Sequence, residues 1–506
     1  MLSQPVLPKR KLVDFFISPY YHHIEHFRGG CILKRLSTTL FQRGGLSCSR
    51  LLASMTMFFV CLFWATPARC AGASAADTLD QSPPASFLTG TFSTHYRYRT
   101  TRLSGDQVND HDLLEQLRID YATPRESTYE IHFLATSAQD LDGDQDHRDF
   151  FPFEDISDAR DTWWSGYLYE AHVDMNYLLP ALTQLRIGRQ SGTRDEPVFF
   201  DGIAADMAVT RRLNLTVYGG TAVHFHELDD DWGSDTLAGA GLDYFPFRKT
   251  RLSVDYLYAR DKRESALATD QEDDLTSIKI RQHFSPFLRA MAALRHVNGE
   301  SRDVKARAIK AFPSMDMEFN LTYFRQFRTQ NELSNELASY YDVLGQSDPF
   351  QSIDVKIRKF LGPRFAIDLG YFARELINNQ VESAFNREYQ RAFVVFDAMD
   401  VFYDGLSLSL IGESWETSDR EYAAAGFDAR YRRKKDKKSA TINVGTYFSL
   451  YKYDYYFQLG EREAVRTFYV NGKMPLSAAL SVRARYEYED SIENYHSLKI
   501  GMGYDF

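Results

Sequence analysis

Cysteine is absent from most of this 506-residue sequence. The four cysteines, Cys31, Cys48, Cys61 and Cys70, all lie within the first 70 residues. The remainder of the chain can therefore hold no disulfide bond, no thiolate metal site and no cysteine nucleophile. Such a sequence is compatible with an oxidising compartment that the chain reaches without a disulfide scaffold.

Long apolar runs are also scarce. The one long run lies in Leu51–Ala75, where it follows basic residues and ends in small ones, and Ala73-Ser74-Ala75 offers a cleavage site. This pattern predicts a secretory signal peptide over residues 51–75. A short transmembrane helix is the alternative, although the run falls short of the ~20 residues that span a bilayer. Residues 1–50 form a basic extension, which indicates a start codon assigned too far upstream, and residues 76–86 form a short periplasmic lead.

Positive charge is in deficit after that segment. Residues 1–75 carry nine Lys/Arg and two Asp/Glu, a net charge of +7, so the rest of the chain carries −17 given the overall −10. An acidic chain without a basic stripe argues against nucleic acid as a partner. The sequence also contains no nucleophile elbow, H-E-x-x-H helix, P-loop or haem-attachment C-x-x-C-H. We therefore expect no enzymatic activity.

What the sequence does contain is alternation. In the closing stretch HSLKIGMGYDF, the residues Leu498, Ile500, Met502, Tyr504 and Phe506 alternate with polar residues and glycine. Successive side chains of a strand point to opposite faces, so this pattern predicts a β-strand with one apolar face. The same alternation, over about ten residues at a time, recurs along most of the chain and leaves charged residues on the other face. Strands of that length cross a bilayer at a tilt.

The connections between these stretches alternate between short turns, often with proline, and longer polar loops. Together they predict an all-β protein, a transmembrane antiparallel up-and-down β-barrel of about 22 strands (range 18–22). The barrel would cover residues 87–506 with both termini on the periplasmic, short-turn side. Only about ten residues separate the predicted cleavage site from the first strand, so no plug domain is expected. A soluble sandwich or propeller is the alternative, but its strands recur at closer spacing.

The final strand resembles the assembly signal of bacterial outer-membrane β-barrels, carried by Leu498, Ile500, Met502, Tyr504 and Phe506. In addition, LRIGRQ (residues 185–190) followed by FFDG (residues 199–202), taken as a strand and an Asp-Gly turn, resembles a feature of large porin-like and polysaccharide-export barrels. The resemblance implies the outer membrane of a Gram-negative bacterium. It also implies outer-membrane lipid, lipopolysaccharide and the barrel-assembly machinery as partners.

Strand parity assigns a set of charged residues to the lumen. They are Arg97, Arg99, Arg118, Asp120, Glu130, Glu170, Asp174, Arg186, Arg281, Asp354, Lys356, Arg358, Asp368, Asp428, Arg430, Arg432, Arg483, Arg485 and Glu487. Charges in a dry interior are costly, so the lumen is predicted to be wet. The alternative is that individual pairs only stiffen the wall.

One loop has the composition of a cation site. Asp140, Asp142, Asp144 and Asp146 alternate around Gly143, a spacing of carboxylates that suits Ca²⁺. A solvated acidic loop is the alternative, and no other cofactor is expected. His224 and His226 form a second, weaker candidate metal site.

The pattern as a whole predicts a channel for passive or substrate-selective passage through a charged aqueous lumen. Two alternatives remain. The barrel could be a sheath that holds a multihaem cytochrome in an electron conduit. It could also be a polysaccharide-export channel that uses Arg186, Arg483 and Arg485.

Overall fold

The structure is a computed structural model, and it describes residues 87–103, 106–123, 129–142, 163–192, 198–223, 235–261, 271–328, 348–377, 382–383, 386–433, 439–453, 461–491 and 494–506. The predicted signal peptide, its flanking segments, Asp144, Asp146, His224 and His226 lie outside these residues. The described residues form 22 strands.

The strands are β1 (Phe87–Leu103), β2 (Asp106–Ala122), β3 (Tyr129–Asp140), β4 (Trp164–Asn176), β5 (Leu182–Gly192), β6 (Val198–Thr210), β7 (Leu213–Ala222), β8 (Thr236–Tyr244), β9 (Thr250–Asp261), β10 (Gln271–Ser285), β11 (Leu288–Val297), β12 (Glu300–Phe312), β13 (Met317–Gln326), β14 (Phe350–Phe360), β15 (Phe365–Leu376), β16 (Tyr389–Met399), β17 (Leu406–Thr417), β18 (Glu421–Arg432), β19 (Thr441–Tyr453), β20 (Glu461–Pro475), β21 (Leu480–Asp490) and β22 (Tyr495–Asp505).

The sheet closes on itself. Each strand pairs antiparallel with the next one in the chain, and β22 pairs with β1 from Asp505 opposite Thr91 to Tyr495 opposite Thr101. Closure leaves no strand edge with unsatisfied backbone groups. The predicted up-and-down barrel and its strand number of about 22 are therefore confirmed. All described strands belong to the wall, so within the described residues none forms a plug domain.

Helical structure is minor in the described part of the chain. A single 3-10 turn, Pro313–Met315, joins β12 to β13. Within the described ranges, no helix has the length and hydropathy that would let it cross a membrane.

The two ends of the barrel differ in their connections. At the end where β1 begins and β22 ends, the connections are short, such as 211–212 and 361–364. The opposite end has the long connections, including 141–163 and 327–349, but it also has tight hairpins. Asn298 and Gly299 form one of these hairpins, with φ of 51° and 78°. Two positive φ values are typical of a type I′ turn, which Asn-Gly favours.

The two faces of the wall differ in polarity. The exposed aliphatic and aromatic residues of the strands, including Ile203, Leu369, Leu410, Val470 and Ile500, share one face by register and are 41–60% exposed. Most of the ion-paired side chains of the strands lie on the other face, and some of them reach across an intervening strand. Arg358 on β14 contacts Asp397 on β16 at 2.8 Å, and Tyr469 on β20 donates to Asp428 on β18. Side chains converge on a concave face, so we assign the charged face to the interior.

A β-bulge interrupts the alternation in β4, so the predicted faces of this strand are partly wrong. The sequence places Tyr167 on the apolar face with Ala171 and Val173. The register shifts opposite Leu134/Ala135, where Tyr169 has no cross-strand partner, and Tyr167 then lies opposite Thr136 on the charged face. The extra residue in β4 shifts the alternation by one, so side chains before and after the bulge have opposite parity on the same face.

Candidate functional site

The candidate site is the charged inner face of the wall. The pairing registers place all the charged residues assigned to the lumen on this one face, strand after strand. Arg97 lies opposite Asp112, for example, and Asp112 lies opposite Asp140. That these residues line a water-filled lumen stays a prediction.

Buried ion pairs join β1 to β2. The Arg97 guanidinium contacts Asp112 at 2.6 Å, and Arg99 lies between Asp110 and Asp112. The Asp112 side chain is 3% exposed. The sequence identified the two arginines but missed the two aspartates, because the polar run DQVNDHD is typical of a loop. Only the register shows that this run continues β2 on the inner face.

Similar pairs recur around the wall and were also missed. Arg251 and Asp243 join β9 to β8 at 2.7 Å, Arg295 and Asp303 join β11 to β12 at 2.8 Å, and Arg391 and Glu413 join β16 to β17 at 2.7 Å. In each pair the carboxylate is almost fully buried. Two guanidinium nitrogens contact the carboxylate in each pair, and Asp243 and Asp303 use both of their oxygens, so these contacts fix the arginine side chains and stiffen the wall.

Strands β10–β12 carry a patch of positive charge that we call the basic patch. By register its residues share the inner face and lie in adjacent rows: Lys279, Arg281, Arg289, Lys305 and Arg307. The acidic residues of the same strands on this face, Asp273, Glu300 and Asp303, lie near the long-loop end and are bound to Asn298, Arg328 and Arg295. The short-turn half of these strands therefore presents only cationic charges, which favours anions near this part of the wall.

An apolar cluster also lies on the inner face, which the sequence did not predict. It consists of Phe200, Leu237, Leu257, Leu275 and Val297, all buried, on five strands between β6 and β11. Phe200 belongs to the FFDG segment. The structure places residues 199–202 inside β6 rather than in the turn that the sequence suggested.

Carboxylates and histidines meet on β2–β5 near the short-turn end. Asp120, Glu130, Asp174 and Arg186, all predicted lumen residues, surround two imidazoles that the sequence did not single out. Arg186 binds both oxygens of Asp174, at 2.7 and 3.0 Å. The sequence gives no signal for this cluster, because His132 and His172 are 40 residues apart in the chain and meet only through the register of β3 with β4.

Two of the four residues of the candidate calcium loop are described. The Asp142 carboxylate accepts a hydrogen bond from the His111 backbone N–H at 3.1 Å, and the Asp142 N–H donates to Asp140 at 3.1 Å. Both carboxylates thus organise the end of β3. Asp144 and Asp146 lie outside the described residues, so calcium binding stays a prediction.

The C-terminal apolar residues lie on the outer face. Leu498, Ile500, Met502 and Tyr504 alternate outward along β22, and Ile500 lies opposite Tyr96 of β1. Phe506 follows the strand and exchanges two backbone hydrogen bonds with Gly90, at 2.9 and 3.0 Å. The last residue therefore takes part in barrel closure, and its role as an assembly signal stays a prediction.

Comparisons with known proteins find only distant structural likenesses. No family model matches the chain, and no curated protein matches it in sequence. The P pilus usher (PapC) translocation pore is 8% identical, with a TM-score of 0.46, covering 82% of this chain and 99% of that one. OccAB2 of Acinetobacter baumannii is 12% identical (TM-score 0.41, 83% and 98% covered). A BenF-like porin from Pseudomonas fluorescens Pf-5 is 10% identical (TM-score 0.39, 83% and 98% covered). At these TM-scores the likenesses carry no argument about function, and the fold rests on the strand pairing of this chain itself.

Proposed function

We propose that this protein is a channel in the bacterial outer membrane and that solutes cross it through a charged, water-filled lumen. One observation carries the proposal: a closed wall of 22 strands has exposed apolar residues on its outer face and charged residues on its inner face. An apolar outer face suits lipid, and a closed barrel satisfies its backbone groups without water.

The strand number supports a wet interior. With strands ~4.8 Å apart and tilted by ~40°, a round barrel of this size has a backbone diameter of roughly 40 Å. Side chains of the wall alone cannot fill such a width. Charges such as Lys356 and Arg430 on the inner face would also be very costly to keep in a dry cavity.

The outer face supports contact with lipid and lipopolysaccharide. Exposed aromatic residues lie in the short turns, among them Tyr177, Phe247, Phe402 and Tyr403. Aromatic residues favour the interface between a membrane and water, so this belt of aromatic side chains would mark one membrane boundary. By the general arrangement of such barrels, the short-turn end with both termini would face the periplasm, and the barrel-assembly machinery would insert the chain.

Single-channel recording in planar bilayers tests the proposal. The purified barrel, folded as judged by its heat-modifiable migration in gel electrophoresis, is expected to give discrete conductance steps that scale with salt concentration. A folded barrel that never conducts would contradict the channel. A chain that stays soluble and compact without detergent would contradict the membrane location as well.

The sheath and polysaccharide-export hypotheses gain no specific support. The FFDG segment that suggested export lies within a strand, and Arg186 is bound to Asp174. No observation on the described residues favours a cytochrome inside the barrel.

A further inference from the structure

Two imidazoles stack on the inner face close to the short-turn end. His132 on β3 lies opposite His172 on β4, with ring centroids 4.9 Å apart. Asp174 follows two residues later on the same face of β4, and Glu130 precedes His132 by two residues on β3. The Asp174 and His172 side chains are 3% and 5% exposed, whereas His132 is 22% exposed.

Hydrogen bonds orient both rings. The Nδ1 atom of His132 lies 2.7 Å from the Asp120 carboxylate, and the Nδ1 atom of His172 lies 3.2 Å from the Arg189 carbonyl oxygen. Both partners are acceptors at these contacts, so each Nδ1 carries the proton and donates it. In the neutral imidazole the lone pair is then on Nε2, the arrangement that is typical of a histidine prepared to ligate a metal.

The two Nε2 atoms both lie near the Asp174 carboxylate. Each lies 3.8 Å from Asp174, and that of His132 lies 3.5 Å from Glu130. Neither forms a hydrogen bond within the described residues, because these distances are too long. One nitrogen from each histidine and one oxygen of Asp174 all lie within 4.8 Å of one another.

We propose that His132, His172 and Asp174 form a binding site for a divalent transition-metal ion such as Zn²⁺, and that Glu130 can supply a fourth ligand. Imidazole nitrogen with carboxylate oxygen suits Zn²⁺ and its neighbours rather than Ca²⁺ or Mg²⁺. Zn–N and Zn–O bonds are about 2.0–2.2 Å long, so ligand atoms that now lie within 4.8 Å of one another would have to move closer together around the ion. The Arg186 contact and the Asp120 contact position Asp174 and His132 for this role.

The site rests on the proposed aqueous interior for access to the ion, but its test is independent of conductance. It would link β3 to β4 across the wall. It is also distinct from the candidate calcium loop, because β3 carries His132 near its short-turn end and Asp140 at its long-loop end.

Metal titration of the folded barrel in detergent, purified without a histidine tag, tests the proposal. We expect one equivalent of Co²⁺ with the visible absorption of a four-coordinate nitrogen and oxygen site, displaced by Zn²⁺. H132Q and H172Q should each weaken binding by at least tenfold. D120N should weaken it by roughly 10–100-fold while the ligands remain, since the group that orients a ligating histidine has effects of that size.

His283→Gln is the matched control. His283 lies on the same inner face, on β10 near the short-turn end, and its replacement should leave the titration unchanged. Equal metal binding by wild type and by the H132Q/H172Q double variant would overturn the proposal, as would a folded wild type that binds no Co²⁺. If H172Q fails to fold because the His172 side chain is buried, the titrations of H132Q and D120N test the proposal. A barrel that conducts without binding metal contradicts this site alone, and one that binds metal without conducting contradicts only the channel.

Discussion

The Phe506 ring packs against the backbone of Gly90, where a side chain would leave no room for it. An ideal Cβ at Gly90 would lie 2.3 Å from the Phe506 ring, which therefore packs directly over the β1 backbone, and 2.7 Å from the Arg118 carbonyl oxygen of β2. We predict that Gly90→Val displaces the ring and destabilises the closed barrel by about 1–3 kcal/mol, the usual cost of overpacking. The measurement is the temperature at which the heat-modifiable gel shift is lost.

Gly472→Val serves as the control for this substitution. A Cβ at Gly472 on β20 would meet no atom within 4 Å, so the change should leave the unfolding temperature nearly unaltered. Equal losses in both variants would show that these glycines act through backbone freedom rather than through the close contacts at Gly90.

Ion pairs of the inner face should differ sharply in how much they contribute to the free energy of unfolding. Asp112 is almost fully buried and accepts from both Arg97 and Arg99. We predict that Asp112→Asn costs about 3–5 kcal/mol of unfolding free energy, because it leaves buried guanidinium groups with too few acceptors. Asp354→Asn breaks the more exposed pair with Lys356 and should cost at most about 1 kcal/mol. Urea unfolding in lipid vesicles measures both values, and similar costs would contradict the assigned burial.

At the scale of the strands, three glycines form one row across β5–β7. Gly188 lies opposite the His172 backbone on one side and Gly202 on the other, and Gly202 lies opposite Gly220. A Cβ at Gly202 would lie 2.1 Å from the Gly219 carbonyl oxygen, a backbone atom that cannot rotate away.

We therefore predict that Gly202→Ala lowers the unfolding free energy by about 1–3 kcal/mol or abolishes pairing of β6 with β7. Gly412→Ala on β17 is the control, because its nearest neighbour would be a Val394 side-chain atom at an ordinary 3.5 Å. The readout is urea unfolding, together with protease resistance of the folded barrel. Indistinguishable variants would contradict the close approach of these backbones.

The strands themselves were largely predictable, because alternation is a local property with a period of two. The final strand and the strand around Arg483 and Arg485 have the predicted faces. What could not be predicted depends on register between strands. The bulge at Tyr169, the position of residues 199–202 inside β6 and the meeting of His132 with His172 all depend on which residues lie opposite one another. No local pattern in one strand encodes that choice.

At the scale of the whole molecule, the inner face is electrostatically uneven. The basic patch of β10–β12 has only cationic charges in its short-turn half, whereas β2–β5 carry several carboxylates, including Asp120, Glu130 and Asp174. A lumen lined in this way gives anions and cations different paths along the wall.

This unevenness leads to a prediction about selectivity. Replacing Arg281, Lys305 and Arg307 together by glutamine removes three positive charges from the inner face and should shift the reversal potential of the channel, in a KCl gradient, toward cation selectivity. The shift should be largest near 0.1 M salt and shrink at 1 M, because screening shortens from about 10 Å to about 3 Å. The control removes three positive charges from the outer face of β12, β13 and β14, with Lys310, Arg325 and Lys359 changed to glutamine. Since those side chains do not face the permeating ions, the control should leave the reversal potential in place. An equal shift in both triple variants would mean that the charged face does not enclose the conducting path.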